Sequence, residues 1–182
     1  MGCDMTANDM RESPLDTFGQ RDALTGFYDR ASIRNLAERC FLASDVRQSH
    51  ALFVVDVDNF RKINETLGRS FGDAILSDIA WVLRRTFRRS DSIGRVGSDV
   101  FVVLLKDVQI GALSEKKARE FCVMLRTLSA ARGKTAPACS IGVAFYPENG
   151  VTFETVYRCA DAALHEARKL GRNQVVFASR AV

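Results

Sequence analysis

The chain has 182 residues, 47% of them apolar, and a formal net charge of +4. That supports one domain with a real core, and so mild a positive charge suits a polyanionic or nucleotide ligand without demanding one. Five scattered cysteines without a CxxC pair, and two histidines, exclude an obvious structural zinc site and fit reduced thiols in the cytoplasm.

Residues 1–20 are polar, contain Pro14 and read as a flexible lead-in, leaving 21–182 as the folded domain. No secretory leader is expected from this start, and no apolar run approaches the length that spans a bilayer. DALTGFYDR, residues 22–30, is a loop around Gly26, followed by a helix with Ile33, Leu36, Ala37 and Cys40 at helical spacing. Asp29 or Ser32 is placed to cap it. ALFVVDVD, residues 51–58, is strand-like, with Asp56 and Asp58 on one face and Val55 and Val57 on the other. Residues 59–73 read as a short helix and a loop with two glycines. A long helix follows, striped by Leu76, Ile79, Ala80, Leu83 and Phe87.

Residues 91–96 and 99–105 then form a hairpin across Gly97-Ser98, where glycine offers the positive φ of a type II′ turn. The next helix buries Ala118, Phe121, Cys122, Leu125 and Leu128. A strand at 138–147 leads to a last helix marked by Phe153, Val156, Tyr157, Ala160, Leu164 and Ala167. Gly171 stands where a C-terminal glycine cap belongs, and 173–178 is the closing strand. Helices and strands alternating around a central hairpin predict an α+β fold, a ferredoxin-like, mainly antiparallel sheet flanked by helices.

Two features carry chemistry. The carboxylates of Asp56 and Asp58 leave a strand end, and Asp99 projects from the hairpin tip; magnesium prefers such oxygens and keeps phosphate oxygens as its other ligands. The plainer alternative is that Asp56 or Asp58 caps the helix beginning near Asn59, and for Asp58 the cap is the favoured reading. The second feature is Arg88-Arg-Ser-Asp91 just ahead of the hairpin. Arginine grips phosphate or guanine edges bidentately, and the alternative is an ordinary i,i+3 ion pair. Nearby Arg84, Arg85 and Arg89 lack the interleaved aromatics of a nucleic-acid patch, so no nucleic acid is expected as a partner, and with no run of bilayer length no membrane is expected either.

Seven segments fall in one order: residues 22–30, 56–64, Gly68 to Asp73, Arg88 to Asp91, Arg95 to Phe101, Ser140-Ile-Gly142, and Ala160-Asp161 through Gly171-Arg-Asn173. Together they resemble the GGDEF domain, the diguanylate cyclase family, over about residues 20–178. The resemblance implies a palm-like sheet on which two such domains, each holding one GTP, meet as a homodimer and form cyclic di-GMP. Carried over by position, it implies metal ligation by Asp56, the Val57 carbonyl and Asp99, with Asp99 also the catalytic carboxylate. It implies guanine recognition by Asn64 and Asp73, and phosphate contacts by Arg61 and Arg168, where the family usually has lysines. Arg88 and Asp91 stand at the family spacing of an inhibitory cyclic di-GMP site.

The departure lies in the signature. Gly97-Ser98-Asp99-Val100-Phe101 stands where the family reads Gly-Gly-Asp/Glu-Glu-Phe, so Val100 replaces a carboxylate of the metal site. Valine neither ligates a cation nor takes a proton. The expectation is a catalytically degenerate domain that binds cyclic di-GMP through Arg88 and Asp91 and acts by contact with a signalling partner protein. The chain is alternatively a piece of something larger. A weakly active cyclase, and a GTP-binding or ligand-free docking domain, are the competing expectations. Magnesium enters only if GTP still binds.

Overall fold

The computed structural model describes residues 19–45, 47–108, 112–131 and 137–179. The element order is α1 (Arg30–Ala43), β1 (His50–Val57), α2 (Phe60–Leu67), α3 (Arg69–Thr86), β2 (Ser92–Arg95), β3 (Val100–Leu105), α4 (Ala112–Ala131), β4 (Cys139–Tyr146), α5 (Phe153–Lys169) and β5 (Val175–Phe177). The strands form one five-stranded sheet in the order β2-β3-β1-β4-β5. Every pairing is antiparallel except that of β4 with β5. The chain is an α+β domain.

β1 is buried along its whole length. It lies at the centre of the sheet, and alternate residues meet different helical layers. Phe53, Val55 and Val57 pack with α2, α3 and α4, while Leu52 and Val54 pack with α1 and α5. A strand covered on both faces reads as a continuous apolar run, which is why ALFVV precedes the carboxylates. The even-numbered face continues into Asp56 and Asp58, so both are carried beneath α5 rather than beneath α2 and α3.

Local signals set several boundaries. Asp29 caps α1 by accepting from the Ser32 amide at 2.8 Å. Thr152 and Thr155 close a reciprocal cap on α5. Gly171, at φ +114°, ends α5 as expected. Leu128 lies outside the residues whose side chains are described, as does nearly all of the 1–20 lead-in.

Three local expectations change. Only Gly68, at φ +87°, separates α2 from α3, so the anticipated loop before Asp73 is the first turn of α3. The closing strand shortens to Val175–Phe177. The hairpin has no type II′ turn: Val96 N donates to Val100 O at 2.9 Å, so residues 97–99 turn the chain, and Gly97 has no positive φ. The turn is shaped by tertiary contacts. The Asp99 carbonyl accepts from Val57 N at 3.1 Å, and the Ser98 carbonyl from Arg95 Nη2 at 2.6 Å.

The glycines of the fold mark close approaches. A Cβ on Gly142 of β4 would lie 1.9 Å from the Ala160 carbonyl oxygen and 2.4 Å from the Leu164 amide nitrogen. Backbone of α5 therefore rests directly on β4, and this contact brings the far end of α5 over the end of β1.

Candidate nucleotide site

Asp56 is the last residue but one of β1 and is 7% exposed. Its cross-strand partners are Val100 on β3 and Ser140 on β4. Directly paired residues of an antiparallel ladder project to the same face, so the Val100 side chain stands beside the Asp56 carboxylate. Arg168, from the last turn of α5, closes on that carboxylate with both arms of its fork. Nη2 lies 2.5 Å from Oδ1 and Nε donates to Oδ2 at 3.2 Å. Burial pushes the Asp56 carboxyl above the ordinary range, Arg168 works against that, and the charges of Asp99 and Asp58 raise it further.

Asp58 caps nothing. Asn59 holds the N-cap position of α2 in the left-handed region, at φ 57°, with no side-chain cap bond. That turn leaves the Asp58 side chain on the sheet face, where it accepts from Ser140 Oγ at 2.7 Å and from the Asn173 amide at 3.0 Å. Asp58 thus ties β1 to β4 and to the turn after α5. Nor does Asp56 cap a helix.

On the other side of the hairpin tip lies an open cleft of about 400 Å³, lined by Phe60, Arg61, Asn64, Glu65, Arg69, Ser98 and Asp99. Arg61 is exposed and pairs with Glu65 one helical turn on, at 2.8 Å. The Asn64 Oδ1 is buried without a hydrogen-bond partner. A Cβ at position 72 would fall 1.9 Å from that oxygen, so glycine at 72 is what lets Asn64 sit there. A buried acceptor left unpaired is costly, and the soft terminal torsion of asparagine lets the amide turn to meet a guest. Asp73 is exposed on α3 and, like Arg168 and Asp56, lies outside the cleft lining. Glu65 and Arg69 are cleft residues that the sequence reading passed over; charges recurring every fourth position at 61, 65 and 69 were the available signal.

The hairpin tip is clamped from the opposite flank. Arg95 Nη1 bonds both carboxylate oxygens of Asp22, at 3.1 and 3.2 Å, and Arg30 Nε donates to the Val96 carbonyl at 2.8 Å. Asp22 is shaped for this by Thr25, whose amide and hydroxyl both donate to it. The DALTG segment therefore positions the tip. Ser98 Oγ in turn donates to the Asp99 carboxylate at 2.7 Å.

Arg88 and Asp91 lie in the turn between α3 and β2. Asp91 accepts from the backbone amide of Arg88 at 2.9 Å and from that of Lys106 at 3.3 Å. Burial raises the Asp91 carboxyl, and these two amides oppose the shift. The carboxylate thus staples the turn to the end of β3 while the Arg88 side chain stands exposed. The i,i+3 relation takes the form of a backbone bond.

A divalent cation held by Asp56, the Val57 carbonyl and Asp99 would have to compete with Arg168 for its aspartate. Both Asp56 oxygens are taken by Arg168, and its neighbour Val100 offers hydrocarbon. Among the described residues no three His, Cys, Asp or Glu side chains converge. Among those residues, too, no helix is long and apolar enough to cross a membrane.

Comparison with known proteins bears on the same residues. The family described as diguanylate cyclase, GGDEF domain, matches residues 19–174. The chain is 32% identical over 154 residues to the diguanylate cyclase TpbB of Pseudomonas aeruginosa, covering 83% of this chain and 35% of that protein. It is 27% identical to the cyclic di-GMP phosphodiesterase PdeR of Escherichia coli, covering 95% of this chain and 26% of PdeR. The chain therefore spans only about a quarter to a third of these relatives' length. Among solved structures, the isolated GGDEF domain of TpbB from Pseudomonas aeruginosa superposes with TM-score 0.82 at 30% identity, covering 88% of this chain and 95% of that one. The diguanylate cyclase SiaD of the same organism, solved with its activator SiaC, gives TM-score 0.79 at 30% identity, with 87% and 61% covered. A microbial GGDEF domain described with bis-(3′,5′)-cyclic di-GMP gives 0.73 at 26% identity, with 86% and 95% covered. With the family match running over nearly all of the described residues, the chain belongs to the GGDEF domain family.

Proposed function

We propose that this chain is a GGDEF domain of cyclic di-GMP signalling that binds a guanine nucleotide but has lost most or all of its cyclase activity. One observation carries the reading: the strand register sets Val100 beside Asp56, and Arg168 takes both oxygens of the carboxylate that would hold a metal. Losing one electrostatic contact of this kind commonly costs about 10²–10³ in rate. Cyclic di-GMP is the proposed ligand at Arg88 and Asp91. The staple made by Asp91 presents the Arg88 guanidinium to solvent, with Arg85 stacked over Trp81 on the preceding helix. Family members solved with cyclic di-GMP and with an activator protein support a ligand-dependent contact with a signalling partner.

A slow diguanylate cyclase is the competing reading, favoured by the survival of Asp56 and Asp99 within electrostatic reach of each other. Incubation of the chain, fused to a dimerising coiled coil, with GTP and magnesium separates the two. The expected yield of cyclic di-GMP is at least about 10²-fold below that of the TpbB domain treated in the same way. Comparable product formation, abolished by Asp99→Ala, would establish the cyclase. Calorimetry with cyclic di-GMP tests the ligand: binding lost in Arg88→Ala supports the assignment, and no binding by the wild type removes it.

A further inference from the structure

We propose that the exposed side of α3 near its carboxyl end, with the DALTG loop beside it, is a docking surface for an acidic segment of a partner protein. The inference rests on the partner contact proposed above and gives that contact a place and a chemistry. Trp81, Arg84 and Arg85 recur at i, i+3 and i+4, so they share one side of the helix, while Ile79, Val82, Leu83 and Thr86 are buried. Trp81, the single tryptophan of the chain, is 47% exposed, and Leu24 of the loop is 39% exposed. The loop meets the helix at Gly26. A Cβ there would lie 4.0 Å from Arg84 Nη2, and Arg21 Nη1 donates to the Gly26 carbonyl at 3.2 Å.

These arginines are held by rings rather than by carboxylates. From guanidinium carbon to ring centroid, Arg84 lies 4.9 Å from Phe27, Arg85 4.7 Å from Trp81 and Arg21 4.4 Å from Tyr28. Among the described residues no carboxylate pairs with any of the three, and the loop's own Asp22 is taken by Arg95 and Thr25. A guanidinium set over a ring keeps its N–H fork for a carboxylate, at less cost in side-chain freedom than an unheld one. Cations in the last turn also complement the helix dipole. That accounts for the charge of Arg84 and Arg85 but not for a half-exposed tryptophan among them. Tryptophan and arginine are the side chains that most often anchor protein interfaces. A nucleic acid would need open ring faces for its bases, whereas Phe27 and Tyr28 are buried and Arg85 covers Trp81. A membrane would need a wider apolar face than Trp81 and Leu24 offer. The occupant that fits is an acidic segment with an apolar residue to set against Trp81.

Because Trp81 is the single tryptophan, its emission reports on this surface alone. The full chain is titrated with a short amphipathic peptide that carries glutamates on one face and leucines on the other. A saturable change in emission is expected. Binding should be at least about tenfold weaker for the same peptide with glutamines, and for Arg84→Glu/Arg85→Glu with the glutamate peptide. That variant should instead bind a lysine version of the peptide, which also shows that it folds. Arg85→Gln, a milder change, should weaken the glutamate peptide at least about threefold. Arg39→Glu/Lys62→Glu makes the same change of charge at other exposed positions and should bind within about threefold of the wild type. An unchanged Trp81 emission, or equal binding of the glutamine peptide, would overturn the proposal while leaving a partner contact through another surface intact. Single-stranded RNA or phosphatidylglycerol vesicles bound more tightly than the glutamate peptide would overturn the choice of occupant. The cyclic di-GMP assignment is read separately, by calorimetry on Arg88→Ala.

Discussion

Asp58 shows how a carboxylate beside a candidate site can serve the fold. Only 5% exposed, it takes a hydroxyl from β4 and an amide from the turn after α5. Removing it leaves the buried Ser140 hydroxyl and the partly buried Asn173 amide without this partner, and a buried donor left unpaired costs about 1–3 kcal/mol. Asp58→Ala is therefore expected to cost about 3 kcal/mol in urea unfolding, and Asp58→Asn, which keeps an acceptor, about half of that. Were Asp58 a ligand-binding carboxylate, both variants would retain wild-type stability. Its neighbour Asp56 differs in kind, because its partner is a charged fork from another element. Removing either member of that pair leaves the other uncompensated near the sheet.

At the scale of elements, the seating of α5 on β4 decides whether Arg168 reaches Asp56 at all. Gly142 permits it, since the atoms that a Cβ would strike belong to helix backbone and have no rotamer to escape into. Gly142→Ala must push α5 off the sheet. Overpacking of this kind costs about 1–3 kcal/mol or more, and the upper end is expected here because backbone must move. Chemical denaturation of Gly142→Ala should show a loss of about 3 kcal/mol; a variant as stable as the wild type would mean that α5 rides higher than described. The Ser140-Ile-Gly142 motif thus has two structural jobs, one residue holding Asp58 and the other admitting α5. The amino-terminal DALTG segment acts similarly on the other flank, where Asp22 holds Arg95 and so the hairpin tip.

Across the whole molecule, the end of the sheet opposite the cleft is held by His50. It is 2% exposed and lies against the stacked pair of Phe41 and Tyr146, 5.9 and 5.6 Å from their ring centroids. Its Nδ1 accepts from the Asp107 amide at 3.1 Å, and its Nε2 lies 2.6 Å from Ser44 Oγ. That pattern requires the neutral ring. Burial lowers the pKa of His50, the charge of Asp107 works against this, and that of Lys106 adds to it; Cys40 completes the surroundings. A depressed value in the fold means that the unfolded chain takes up the proton first. The stability His50 contributes is full above its unfolded pKa of about 6.5 and falls as the pH drops through the folded value. Urea midpoints are expected to decline from pH 7.5 to pH 5, and His50→Gln should flatten that slope. An equally steep slope in the variant would place the titration elsewhere.

The sequence by itself determined what depends on neighbours along the chain. Apolar periodicity delimited the helices, alternation put Asp56 and Asp58 on one face, and Gly171 ended α5. Seven ordered motifs identified the family, because their order survives even where the signature has changed. Only the tertiary structure decided what depends on partners distant in the chain. Asp56 and Arg168 are 112 positions apart, and Asp58 and Ser140 are 82 apart. No local pattern encodes such pairs, so one carboxylate looked like a helix cap and the hairpin looked like a two-residue turn. Strand register set Val100 against Asp56, and helix seating brought Arg168 onto it. Those two placements bring the changed position of the signature and an arginine from the far end of the chain to one buried carboxylate.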